Sequence, residues 1–94
     1  MVDTISPVVV GTLVEYHRRF LNFLAARAGS REIAEDLLQA AFVRGLERGG
    51  ELRDSESAVA WFYRLLCNAL IDFYRHRAAE RRALERQTGE GRRP

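Results

Sequence analysis

The chain has 94 residues and is 47% hydrophobic and 30% charged, which suits one folded domain with a modest core and excludes wholesale disorder. Its formal net charge is only +2, and no apolar run approaches the roughly 18 residues that span a bilayer. The single Cys67 rules out an internal disulfide and fits a reducing compartment.

The first predicted helix starts at Ser6-Pro7, with Ser6 as N-cap and Pro7 at the first helical position. It is expected to run to about Ala28, where Gly29 stops it. Val10, Leu13, Val14, His17, Phe20, Leu21 and Leu24 recur at helical spacing and form its core stripe. His17 therefore reads as a packed core histidine. Val8-Val9-Val10 is too short for a signal-peptide core, and no basic residue precedes it, so the expected location is the cytoplasm.

A second helix is expected from the cap Ser30 through Arg48. Glu32, Glu35 and Asp36 sit in its early turns, where they suit the helix dipole. Its core stripe is Ala34, Leu37, Leu38, Ala41 and Gly45. A neighbouring strip carries Glu35, Gln39, Phe42 and Leu46. Either Phe42 and Leu46 widen the core, or the strip is a docking surface for another helix. Gly49-Gly50 ends the helix, and a loop runs to Asp54, with Leu52 as its apolar residue.

The third helix is long, capped by Asp54 or Ser55 and running to about Arg82. Ala58, Phe62, Leu65, Leu66, Ala69, Leu70 and Phe73 form its apolar face. The opposite face carries Arg64, Asn68 and Arg75, with Trp61 at its edge and Ile71 in its middle. Five arginines (75, 77, 81, 82 and 86) stand against Glu80 and Glu85 beyond Phe73. All 15 basic residues of the chain are arginine, whose guanidinium offers forked donors to phosphate and stacks on rings. This face is either a solvated arginine surface or a grip for single-stranded nucleic acid, with rings stacking on bases and arginines following the backbone. Gln87–Pro94, with Gly89, Gly91 and Pro94, reads as a linker-like tail, leaving 1–86 as the helical domain. The fold class is all-α, a compact bundle of about three helices with the last one long.

Catalysis finds little support in these residues. His17 and His76 have no nucleophile to serve, no Cys/His pair has metal spacing, and no glycine-rich loop follows a strand. The sequence calls for no cofactor and no metal.

Ala34-Glu35-Asp36-Leu37-Leu38-Gln39-Ala40-Ala41-Phe42 resembles the "AEDLxQxxF" signature of region 2.2 of bacterial sigma factors. Trp61-Phe62-Tyr63-Arg64-Leu65-Leu66-Cys67-Asn68, with Asp72 and Arg75 following, resembles their regions 2.3 and 2.4. The spacing of the two blocks is similar to the extracytoplasmic-function (group IV) subfamily, and the likeness covers about residues 10 to 82. Leu66, Cys67 and Ala41 depart from the usual pattern, and the short helix that often precedes the first one is missing or reduced.

The resemblance implies a non-enzymatic role in transcription initiation. Glu35, Asp36, Gln39 and Phe42 would dock on the clamp helices of the RNA polymerase β′ subunit. The −10 promoter element would be recognised and melted by capture of its non-template strand. A flipped base would enter a pocket between the Gly49–Ser55 loop, with Arg53, Asp54 and Ser55, and the segment from Trp61 to Asn68. Arg64, Arg75 and Arg77 would hold phosphates, and Asn68 would read a base. An anti-sigma factor is a further implied partner. No counterpart of region 4, the −35-reading module, is present. The chain thus reads either as an excised domain or as a stand-alone relative, and the alternative function is a protein-interaction module without productive promoter recognition.

Overall fold

The computed structural model describes residues 5–51 and 54–92. Four α-helices account for almost all of them: α1 (Pro7–Glu15), α2 (His17–Ala28), α3 (Arg31–Arg48) and α4 (Ser55–Arg92), with a 3-10 turn at Gly49–Glu51. No strand occurs among the described residues.

Local chemistry sets most of the boundaries. The Ser6 hydroxyl accepts a hydrogen bond from the Val8 N–H at 3.3 Å, and Pro7 opens α1, as its fixed φ favours. Gly29 ends α2 with φ 76°, a left-handed conformation that suits glycine. Ser30 then caps α3 by accepting from the Ile33 N–H at 3.3 Å. Of the two candidate caps for α4, Asp54 acts: its Oδ1 accepts from the Ser57 N–H at 3.0 Å.

The expected single first helix is broken. At Tyr16 the backbone departs from helical geometry, with φ −88° and ψ 3°. The Thr12 hydroxyl donates to the Val8 carbonyl at 3.0 Å, a back-bond that bends helices. The bend moves the buried stripe. In α1 it is Val9 and Leu13 that are buried, while Val14 is 63% exposed. In α2 the stripe continues through Phe20, Leu21, Leu24 and Ala28. His17 is therefore exposed and not the core histidine that a continuous helix requires.

Phe20, Phe62, Leu24, Leu66 and Val9 are the largest fully buried side chains. Each is worth roughly 1.5–3 kcal/mol of transfer free energy. Phe62 of α4 lies at the centre, with ring centroids 4.7 Å from Phe20 and 4.9 Å from Phe42. Tyr63 meets Phe20 and Phe23 edge-on, each at 5.1 Å. No polar or charged residue is buried among the described residues.

α4 has 38 residues, or about 57 Å at 1.5 Å per residue. Its first half packs on the other three helices, and Tyr74 closes that contact by donating its hydroxyl to the Arg27 carbonyl at 2.7 Å. Beyond Phe73 nearly every residue through Gln87 is exposed. The segment expected to be a linker from Gln87 continues the helix to Arg92. Arg81–Gln87 are mostly strong helix formers, and Gly89 and Gly91 weaken the helix by about 1 kcal/mol each without ending it. No described helix is long and apolar enough to cross a membrane.

Candidate nucleic-acid and partner interfaces

Arg64, Asn68, Ile71 and Arg75 follow one another at intervals of four, three and four residues, so α4 presents them as one strip. All four are exposed, Ile71 to 45%. The strip extends about 16 Å from Arg64 to Arg75. Among the described residues, Arg64, Asn68 and Arg75 make no side-chain hydrogen bond or ion pair, which leaves their donors available. Cys67 is a free, exposed thiol beside Asn68.

Arg77 does not join them. Two residues past Arg75 it is turned by roughly 200° around the axis, and its guanidinium lies 5.6 Å from the Phe73 ring centroid. His76 is likewise off the strip and pairs with Glu80 at 3.0 Å on the helix surface.

Trp61 is half-buried and packs against the core cluster. Its indole edge lies over Gly45 of α3 and Gly49 at the end of that helix: a Cβ built on Gly45 or Gly49 would meet Cη2 at 3.7 or 3.3 Å. The expectation placed this ring at the edge of the arginine face, and the two glycines are what draw it inward. Gly45 and Gly49 stand one helical turn apart in the sequence, but that they lie opposite Trp61 is set by the fold.

Of the loop candidates, Arg53 lies outside the described residues, as does Leu52. Ser55 is the first residue of α4. Asp54 spends its carboxylate on the cap. Hydrogen bonds from the Ser57 side chain first, and then from its backbone, hold that carboxyl below the ordinary aspartate range.

On α3, Glu35, Asp36 and Gln39 are exposed. Glu35 meets Arg31 at 3.7 Å, both side chains well solvated. Phe42 and Leu46, the two apolar members of the strip, part ways. Phe42 is half-buried, stacked with the His17 ring at 5.9 Å and tilted against Phe62 on its other side. Leu46 is 52% exposed, as is nearby Val43 at 54%. Val10, Leu13, Val14, His17, Phe42 and Leu46 line an apolar groove of about 310 Å³. No cluster of metal-ligating side chains occurs among the described residues.

The family model for sigma-70 region 2 matches residues 13–80. The chain belongs to the sigma-70 region 2 family. Two curated relatives, both from Bacillus subtilis strain 168, agree. The chain is 31% identical to RNA polymerase sigma factor SigZ over 61 residues, 65% of this chain and 35% of that protein. It is 33% identical to RNA polymerase sigma factor YlaC over a stretch of the same length and coverage. The chain thus spans about a third of the length of these relatives. No solved structure matches it. Within the family match, α3 carries the region 2.2-like block and α4 the region 2.3 and 2.4-like block. Both project their polar signature residues into solvent from one aromatic core.

Proposed function

We propose that this chain is the promoter-opening domain of a group IV sigma factor in the bacterial cytoplasm. It docks on core RNA polymerase through α3 and captures the non-template strand of the −10 element along α4. The observation that carries this reading is the family match over both signature blocks, joined to the free donors of Arg64, Asn68 and Arg75 on one exposed strip. In this role Arg64 and Arg75 bind phosphates and Asn68 contacts a base. The loop through Arg53, Asp54 and Ser55 supplies the other side of the base pocket. Arg77, turned away from the strip, contributes general phosphate attraction rather than a contact beside Arg75. The domain holds and melts the strand, and the chemistry belongs to the polymerase.

Single-stranded oligonucleotides of the non-template −10 strand, titrated by anisotropy at several salt concentrations, test it. Arg75→Ala should weaken all sequences alike and lower the salt slope by about one. Asn68→Ala should leave the slope unchanged and reduce discrimination between sequences by about tenfold. Wild-type binding that is indifferent to sequence would falsify the base-reading role.

Docking on the β′ clamp helices is assigned to Glu35, Asp36, Gln39 and Phe42. Gln39→Ala is the cleaner probe, because Phe42 also packs against Phe62 and its loss would disturb the core. The exposed apolar groove beside Phe42 favours a second reading, a module that binds polymerase or an anti-sigma factor without reading DNA. Clamp-helix binding retained in a protein that shows no oligonucleotide affinity would select it.

A further inference from the structure

Arg27 stands in the last turn of α2, and its guanidinium is held in place although the residue is exposed. Its Cζ lies 3.8 Å from the centroid of the Phe23 ring, and Nη1 donates to the Phe23 carbonyl at 3.1 Å. That bond satisfies one of the carbonyls that a helix end leaves open. It occupies a single nitrogen. Nε and Nη2 have no acceptor among the described residues, and no carboxylate there pairs with the charge. Capping thus accounts for the rigidity of the guanidinium and leaves most of its donors unused.

The neighbouring surface belongs to α4. Tyr63, Cys67, Ile71 and Tyr74 follow at intervals of four, four and three residues, so they form one row along that helix. The row shares Ile71 with the strip of Arg64, Asn68 and Arg75 and runs beside it. Both of its tyrosines reach α2. The Tyr63 ring meets Phe23 edge-on at 5.1 Å, and the Tyr74 hydroxyl donates to the Arg27 carbonyl at 2.7 Å. α2 therefore borders the row on the side opposite the strip, and Arg27 stands on that border. Rings and apolar groups flanked by arginines are what single-stranded nucleic acid meets in its binding sites, bases on the row and backbone on the charges. A guanidinium already fixed on a ring loses less side-chain freedom on meeting a phosphate than a free one does.

We infer that Arg27 is a further phosphate-binding residue for the captured single strand, standing across the tyrosine-edged row from Arg64 and Arg75. This rests on the promoter-strand reading proposed above. It adds α2 to a DNA-binding face that the signature blocks confine to α4 and the loop before it.

Arg27→Gln removes the charge and keeps an amide that can still donate to the Phe23 carbonyl, whereas Arg27→Lys keeps the charge. Arg18→Gln is the control for net charge, because Arg18 is exposed and lies on the opposite side of α2 from Arg27. Each full chain is titrated with a non-template −10 oligonucleotide at several salt concentrations, and circular dichroism checks its fold. Arg27→Gln should weaken binding several-fold and flatten the salt slope as Arg75→Ala does, with the preference among sequences unchanged. Arg27→Lys should retain the slope, and Arg18→Gln should match wild type. Arg27→Met, which keeps an apolar stem on Phe23, replaces Arg27→Gln if that variant unfolds. A wild-type slope in the folded, uncharged variant overturns the inference and leaves the promoter-strand reading intact. An equal fall in Arg18→Gln or in Arg27→Lys also overturns it, the first marking an effect of net charge and the second a structural role. Wild-type protein with no affinity for the oligonucleotide defeats the promoter-strand reading itself, and the inference with it.

Discussion

Asp54 accepts its cap hydrogen bonds as a carboxylate, and this ties one residue to the pH response of the domain. A carboxyl depressed in the folded state contributes stability above its unfolded pKa. That contribution is lost as pH falls through the folded value. Asp54→Asn keeps a good capping side chain and removes the titration. Thermal midpoints recorded between roughly pH 5 and pH 2 should fall less steeply for the variant than for wild type. Near neutral pH the two should stay close, since neither protonation state changes there. Asn68 and Arg75 divide a different pair of properties, sequence preference and salt dependence, although only about two turns of helix separate them. Arg77 shows how little sequence proximity means on a helix. It is nearer to Arg75 than Arg75 is to Asn68, yet it rests on Phe73 and points elsewhere.

At the scale of the elements, the helix ends carry their own instructions. Gly29 holds φ 76°, so Gly29→Ala should cost about 1 kcal/mol, measured by urea denaturation followed by circular dichroism. No atom crowds that position, so the cost is one of backbone conformation alone. Ser6-Pro7, Gly29 and Ser30 were legible in the sequence for this reason: a cap is decided by neighbours two or three residues away. The break at Tyr16 was not legible. Val8, Val9, Val10 and Val14 offer apolar side chains in more than one phase, so the pattern fits a straight helix as well as a bent one. Tertiary burial of Val9 and Leu13, with the Thr12 back-bond, decides between them. The continuation of α4 past Gln87 was also hidden, because two glycines suggest an end that the helix does not take. The strip of Arg64, Asn68 and Arg75 was plain from spacing. The inward packing of Trp61 was not, because an edge position on a helix admits either direction until the glycines opposite are seen in place.

The whole molecule rests on one aromatic centre with no buried polar group to interrupt it. Phe62 joins α4 to both α2 and α3. Phe62→Ala should cost about 3–5 kcal/mol, a large share of the 5–15 kcal/mol that a typical domain has. Loss of cooperative thermal unfolding in near-ultraviolet circular dichroism is the expected outcome. Both proposed interfaces should fail together in that variant, because α3 and α4 are aligned by the same rings. Tyr74→Phe, which removes only the hydroxyl bond to Arg27, should cost about 1 kcal/mol and leave both interfaces working. Cys67 is the one thiol of the chain. It lies exposed, three residues after Arg64 and four before Ile71. The protein thus comes with a native labelling handle on the very helix proposed to meet the promoter. A maleimide dye there needs no engineered cysteine and no removal of others, and strand capture becomes a change in its emission.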